Sequence, residues 1–355
     1  MVAAVFQSLP RTEPEFHERF GSEEACREYL ISLKWPRGFV CPACGGTQSW
    51  RRSNRDEWVC SNRNCRRETS LRAGTLFHNS RKPLKDWFLT MFHMVTSKQG
   101  VSALEMQRRL GYGSNRTTLR WLRELRRVMG AAIDSRPRLS GKIECDEMLI
   151  GGRKEGSGLR GWGDPGKVVI VGAVECRGAG SGRARLRVLP SNKGKHIKSF
   201  VSAMIEPGSM VFADGAMVYR KLPGLMSDPI PTTNTRGKAL KGKGGKKIVE
   251  IHLPRIHRVF SLVKRIVNGC HQGSFSHEHI QGYLDEYCYR FDGRQNAGNL
   301  KMLWALAART VHQRSKTYWE SSGRSTPDIP TRVRPKDFLE VAQVLEAMHG
   351  PLQED

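Results

Sequence analysis

Long apolar runs are missing from this 355-residue chain; Val168–Val174 (VVIVGAV) is representative and has seven residues. A membrane-spanning helix needs roughly 18 or more, so no membrane partner is expected. The opening MVAAVFQSLP has neither a basic leading stretch nor a full apolar core, which argues against a secretory signal. Acidic residues are scarce, with 34 Asp and Glu against 59 Lys and Arg, a net charge of +25 and a pI of about 10.1. A compact state with that charge repels itself, and the imbalance suits a polyanionic partner. Cysteine is too sparse for a disulfide-stapled scaffold: nine residues, an odd number, in a chain this long. Four of them cluster, which favours a metal site in a reducing compartment, so a cytoplasmic protein is expected. There is no internal repeat. Hydrophobic residues still make up 38% of the chain, enough to bury cores in two or three domains.

Four stretches differ in character. Residues 1–80 hold the clustered cysteines, and 81–138 read as helices. Residues 139–318 alternate short apolar runs with helical periodicity, and 319–355 form a tail with one helical pattern, Lys336–Met348. In the second stretch, Val101–Leu110 is followed by Gly111-Tyr112-Gly113-Ser114 and then by Asn115–Met129. Leu119, Trp121, Leu122, Leu125 and Val128 recur at helical spacing as one apolar stripe, with Ser114 or Asn115 as cap. Arg116, Arg120, Arg123, Arg126 and Arg127 occupy much of the remaining surface. A helix, a short glycine turn and an arginine-rich helix form a helix-turn-helix-like DNA reader, or else a basic hairpin that packs between domains.

Cys41-Pro-Ala-Cys44 and Cys60-Ser-Asn-Arg-Asn-Cys65 are two turn-borne pairs that can place four thiolates around one structural Zn²⁺. Arg51, Arg52, Arg55, Arg63, Arg66 and Arg67 surround them, as a DNA contact or as a solvated basic face. Cys26, Cys145, Cys176, Cys270 and Cys288 are scattered and read as packing residues.

Lys142–Ile150, Val168–Glu175 and Ala184–Leu189 read as successive strands, followed by a helix over His196–Ile205 and a strand over Met210–Asp214. This order predicts an α+β multidomain chain whose main domain is a mixed sheet flanked by helices. Asp146 lies mid-strand and Asp214 at a strand end. Strand-borne carboxylates hold hard cations such as Mg²⁺, and a pair of ions can serve both oxygens of a phosphodiester displacement. Pro254–Val267 reads as a helix with Gly269 just past its end; His257 and Lys264, two turns apart, share a face. Glu250 is a rival ligand to His257. Glu147 falls on the opposite sheet face from Asp146. The basic, glycine-rich segment Arg236–Lys247, with Lys241, Lys243 and Lys246, is a solvated loop or one that orders on DNA phosphates.

CPAC with its later cysteines, AGTLFHNSRKPLKDWF, IECDEMLIGG, MVFADGAMVY, HRVFSLVKR and YLDEYCYRF occur in one order between about residues 17 and 310. As an ordered set they resemble the bacterial zinc-ribbon insertion-sequence transposases with a ribonuclease-H-like catalytic domain. The resemblance implies that Asp146 and Asp214 are catalytic metal ligands, with Tyr219 accompanying the second. It implies that His257 is a third ligand where other members carry Glu or Asn, and that Lys264 is its basic companion. Imidazole is softer than carboxylate and lacks its charge, so Mg²⁺ should bind less tightly and Mn²⁺ serve better. The implied partners are double-stranded DNA, both as terminal inverted repeats and as target, and further copies of the chain in a DNA-bound homo-oligomer. A bacterial, nucleoid-associated location follows from the same resemblance.

Overall fold

The computed structural model describes residues 10–52, 56–151, 166–213, 240–241, 247–248, 253–271, 278–294 and 299–311. The described residues form two compact units, one drawn from residues 27–81 and 308–311 and the other from residues 10–26 and 82–307. Two helices precede the four clustered cysteines, α1 (Glu13–Phe20) and α2 (Glu23–Lys34). Neither was expected, because their apolar stripes are short.

In the smaller unit, strands β1 (Ser49–Arg51), β2 (Glu57–Cys60) and β3 (Glu68–Ser70) form an antiparallel sheet in that order. So small a sheet buries little, and its core is aromatic: Trp35 lies 4.8 Å from Trp58 and 5.2 Å from Phe39 between ring centroids. Lys34 Nζ closes the unit by donating to the carbonyls of Ser70, Leu71 and Ala73 at 2.7–3.0 Å.

The larger unit begins with aromatic packing: Phe16 and Phe20 of α1 meet Phe92 and Phe88 of α3 (Leu84–Thr96), with centroids 5.0 and 5.2 Å apart. Helices α4 (Ala103–Leu110) and α5 (Asn115–Asp134) follow. Gly111 ends α4 in the left-handed region at φ 68°, which glycine adopts without steric cost. Ser114 caps α5 by accepting from Arg116 N at 3.3 Å, and Thr118 Oγ1 donates to Ala103 O at 2.7 Å, fixing the angle of the pair.

The main sheet contains β4 (Lys142–Ile150), β5 (Val168–Arg177), β6 (Gly180–Leu189) and β7 (Met210–Phe212) in the order β6-β5-β4-β7. The first three form an antiparallel meander, and β7 lies parallel to β4. β6 starts earlier than the sequence pattern indicated, because the tight turn at Gly178 pairs Arg177 with Gly180. Ile143, Cys145, Val169, Val171 and Ala173 face α6 (Gly194–Met204), which brings Ile197, Phe200 and Val201 to a dry core. The Val, Ile and Phe side chains among these each contribute about 1.5–3 kcal/mol on burial. The opposite face receives α7 (Pro254–Cys270), whose Ile256, Phe260, Val263 and Val267 are buried as the stripe required. α7 runs past Gly269, which was expected to lie beyond its end. Edge strand β6 is sealed by α8 (Ile280–Gly293): Gln281 and Asp292 accept from Val188 N and Ala184 N, both at 2.9 Å. α9 (Asn299–Thr310) follows, and β8 (Leu240–Lys241) pairs antiparallel with β9 (Lys247–Ile248) over two rungs. A three-strand meander extended by a parallel strand, with helices on both faces, is the ribonuclease-H-like arrangement.

Candidate active site and metal centres

In the small unit, ligand atoms of Cys41, Cys44, Cys60 and Cys65 all lie within 4.8 Å of one another. Among the described residues they alone form a group of three or more potential metal ligands. Cys41 and Cys65 sulfurs are 3.7 Å apart and those of Cys44 and Cys60 3.5 Å, close to the ~3.8 Å edge of a tetrahedron with 2.3 Å zinc–sulfur bonds. Each pair sits on a knuckle. Gly45, at φ 73°, turns the first, while Arg66 takes the left-handed region at φ 45° after the wider second loop. The Gly46 amide points at Cys44 Sγ and draws that thiol down to about 7. A Cβ at Gly46 would lie 3.4 and 3.5 Å from two of the sulfurs, in bare contact. Four sulfurs with amide donors and no open position fit a structural zinc. Arg63, Arg66 and Arg67 are exposed beside it, whereas Arg51 pairs with Asp56 and Arg52 with Glu68. Arg55 lies outside the described residues.

The candidate catalytic pair straddles β4 and α7. Asp146 sits directly across from Gly172 of β5. A Cβ on Gly172 would lie 2.7 Å from Phe260 and 2.8 Å from Ile256, so its absence lets α7 press onto the sheet there. The next helical residue, His257, then reaches Asp146, with Nε2 3.0 Å from Oδ2. Asp146 Oδ1 accepts from Glu147 N at 2.8 Å, fixing the carboxylate plane. Asp146 is 15% exposed and His257 51%, so the pair opens to solvent on the helix side. A separation of ~3 Å is what two neighbouring ligands on one octahedral cation with ~2.1 Å bonds require. Lys264, two turns on, is exposed. Glu147 pairs with Val171 and so shares its face, away from His257. β7 is described to Phe212, opposite Glu144; Asp214, Tyr219, Lys243, Lys246 and Glu250 lie outside the described residues, and Lys241 is placed by its backbone alone.

On α5, Arg116, Arg120 and Arg123 are exposed along one side. Arg126 is not part of that surface: it is 4% exposed and donates to Glu286 of α8 at 2.7 Å. Arg290 also serves packing, donating to the carbonyls of Ser97 and Lys98. Sequence reading passed over Glu144, Arg255 and Gly172. The alternation of Glu144 with Asp146 on one strand face was the available signal for the first.

The four-cysteine ribbon and the ribonuclease-H-like sheet each fall within a match to a transposase domain. More particularly, residues 138–292 match an ISXO2-like transposase domain, and residues 21–68 match a transposase zinc-ribbon domain, so the chain carries the domain pair of an insertion element's transposase. It is similar to an uncharacterized protein in transposable element ISH50 of Halobacterium salinarum. The two are 23% identical over 290 residues, which cover 76% of this chain and 91% of the relative.

Proposed function

We propose that the protein is an active DNA transposase that cuts phosphodiesters at the ends of its element and joins the freed 3′-hydroxyl to target DNA. The approach of His257 Nε2 to within 3.0 Å of Asp146 Oδ2 carries this reading, in a chain with a transposase domain. Asp146, Asp214 and His257 are the candidate ligands for Mg²⁺ or Mn²⁺. A bound divalent cation there would polarise the phosphodiester and its attacking oxygen. Both displacements are in line at phosphorus. Water is the nucleophile in the first and the element's 3′-hydroxyl in the second, with an alkoxide leaving each time. The residues therefore act by holding groups in place and offsetting charge. Asp146, with one oxygen fixed by Glu147 N, presents the other to the site. His257 offers a ring nitrogen to the site, and Lys264, on the same helix face, is a phosphate anchor.

Recognition of the ends is assigned to Arg116, Arg120 and Arg123 and to the ribbon's exposed arginines. Lys241, Lys243 and Lys246 are assigned to backbone phosphates near the site. Joining two ends calls for more than one active site or for reuse of one, so the working form is a homo-oligomer on DNA.

The test is cleavage and joining on a duplex bearing the gene's own flanking ends, in Mg²⁺ and Mn²⁺, with Asp146→Ala, Asp214→Ala and His257→Ala. The expected result is end-specific nicking and strand joining, faster in Mn²⁺ and lost in all three variants. Binding without cleavage in either metal would leave a DNA-binding regulator. Cutting of branched DNA without joining would leave a nuclease. Full activity in His257→Ala would transfer its role to Glu250.

A further inference from the structure

We infer that Glu144 is a positioning residue for the Asp146–His257 pair, capping α7 from the adjacent strand and so setting the helix in register with the site. The inference rests on the proposed function for its purpose, but its geometry is independent of it. Glu144 is 3% exposed in the face of the sheet that packs against α7. Its carboxylate accepts from the backbone amides of Arg255 at 2.7 Å and Ile256 at 3.0 Å, and from Arg255 Nη1 at 2.9 Å. Those amides belong to the first turn of α7, where no helical carbonyl is available to accept them. The residue preceding the helix, Leu253, supplies no side-chain cap. Glu144 replaces that cap from a distant part of the sequence, and its negative charge also lies favourably at the helix N-terminus.

The register follows from two periodicities. Glu144 and Asp146 are alternate strand residues and so point to the same side, about 6.6 Å apart along the strand. The helix residues that meet them follow the same direction: Arg255 and Ile256 on Glu144, then His257 on Asp146. One carboxylate fixes where the helix starts, and the next meets the residue that the fixed start delivers. Arg255 extends the clamp by donating to Gly178 O at 2.7 Å and Gly180 O at 2.9 Å, so the β5–β6 turn is held to the same point. An ion pair to a buried carboxylate adds little to stability compared with apolar packing of the same volume, so specificity of placement is the better account of this one.

The test uses the full-length, zinc-loaded protein in Glu144→Ala and Glu144→Gln forms. A core variant on the other sheet face, Val201→Ala, serves as a stability control. In the crystal structure of Glu144→Ala, His257 and Asp146 are expected to part beyond about 4 Å, outside ion-pair range. Mn²⁺ affinity, read from free Mn²⁺ by electron paramagnetic resonance, should fall 10–100-fold, as for other residues that orient metal ligands. Glu144→Gln keeps one acceptor oxygen and should lose less, and it takes the place of the alanine form if that fails to fold. Val201→Ala should melt earlier yet bind Mn²⁺ normally. DNA affinity should be unchanged in the Glu144 variants, with any loss of cleavage falling on kcat. An unaltered His257–Asp146 distance in a folded Glu144 variant overturns the inference, as does an equal Mn²⁺ loss in Val201→Ala. Absence of cleavage by the wild type would instead defeat the transposase reading, and the distance in the variant would still decide the role of Glu144.

Discussion

Gly172 lies opposite Asp146, and its missing side chain determines how closely α7 approaches the sheet. In Gly172→Ala the new Cβ would meet Leu186 and Phe260 at 2.7 Å and Ile256 at 2.8 Å. Overpacking of this kind costs about 1–3 kcal/mol. The strain would be relieved by lifting α7, which takes His257 with it. A thermal melt should therefore show a lower Tm, and end cleavage should drop more than DNA affinity does. If the variant melts early but cleaves normally, the helix has tilted elsewhere and Gly172 matters for packing alone. His271, just past α7, gives a residue-scale pH effect. Its ring is tilted against Tyr283 with centroids 4.1 Å apart, and burial, helped by the Arg126 guanidinium, lowers its pKa to about 4. The unfolded chain takes up this proton near 6.5, so between pH 6.5 and 4 the unfolded state binds more protons and stability falls as pH falls. The loss is on the order of 3 kcal/mol in full. Denaturant titrations at pH 7 and pH 4.5 should show a smaller acid loss in His271→Gln than in the wild type; equal losses would place the acid sensitivity elsewhere.

At the scale of elements, the ribbon and α7 were legible because their signals are local. Cysteine spacing set the first, and an apolar stripe starting at a proline set the second. The Asp146–His257 contact was reachable only through resemblance, since 111 residues separate the partners and no periodicity links them. Glu144 and Gly172 stayed hidden for a related reason. A strand glutamate reads as solvent-facing until a helix end is seen against it, and a strand glycine reads as a bend. Arg126 was unreadable in the same way: its place on an arginine-rich helix signals DNA, but Glu286, 160 residues away, claims it. Both members of that pair are 4% exposed, and they tie α5 to α8. Glu286→Gln should strip a buried guanidinium of its countercharge and cost about 3–5 kcal/mol, whereas Arg126→Met with Glu286→Leu should recover most of that loss. Urea melts of the single and double variants check this, and a double variant no better than the single would show that α5 and α8 need the charges for fit. The ribbon has the opposite dependence, on a ligand rather than a partner helix. Its sheet is small and its cysteine thiolates are held together by the ion, so a strong chelator should unfold it. The expected signal is a change in fluorescence from Trp35 and Trp58 with the larger unit's helical circular dichroism retained, and Cys60→Ser should show it without chelator.

At the scale of the whole molecule, the excess of 59 basic over 34 acidic residues divides into two populations. Some arginines are internal struts: Arg185 is 2% exposed and shares Asp292 with Arg136, and Arg183 is bound to Glu175. These cannot leave their carboxylates for DNA without opening the fold. Others are presented outward, among them Arg116, Arg120 and Arg123 on α5 and Arg63, Arg66 and Arg67 on the ribbon. Total charge is therefore a poor guide to affinity, and the exposed subset should set the salt dependence. Each phosphate contact contributes about 0.9 to the slope of log affinity against log salt on duplex DNA. Arg120→Ala and Arg123→Ala should each lower that slope by about 0.9 if they hold phosphates. On the proposed assignment of α5 to the element's ends, Arg116 at its N-terminal end would meet base edges, so Arg116→Ala should relax sequence preference at one position and cost about 1–3 kcal/mol there. Binding titrations at several salt concentrations, on the element's ends and on unrelated duplex, separate the two roles. Unchanged slopes and unchanged preference in all three variants would move the reading surface from α5 to the ribbon, where Arg63→Ala and Arg67→Ala would then carry the effect.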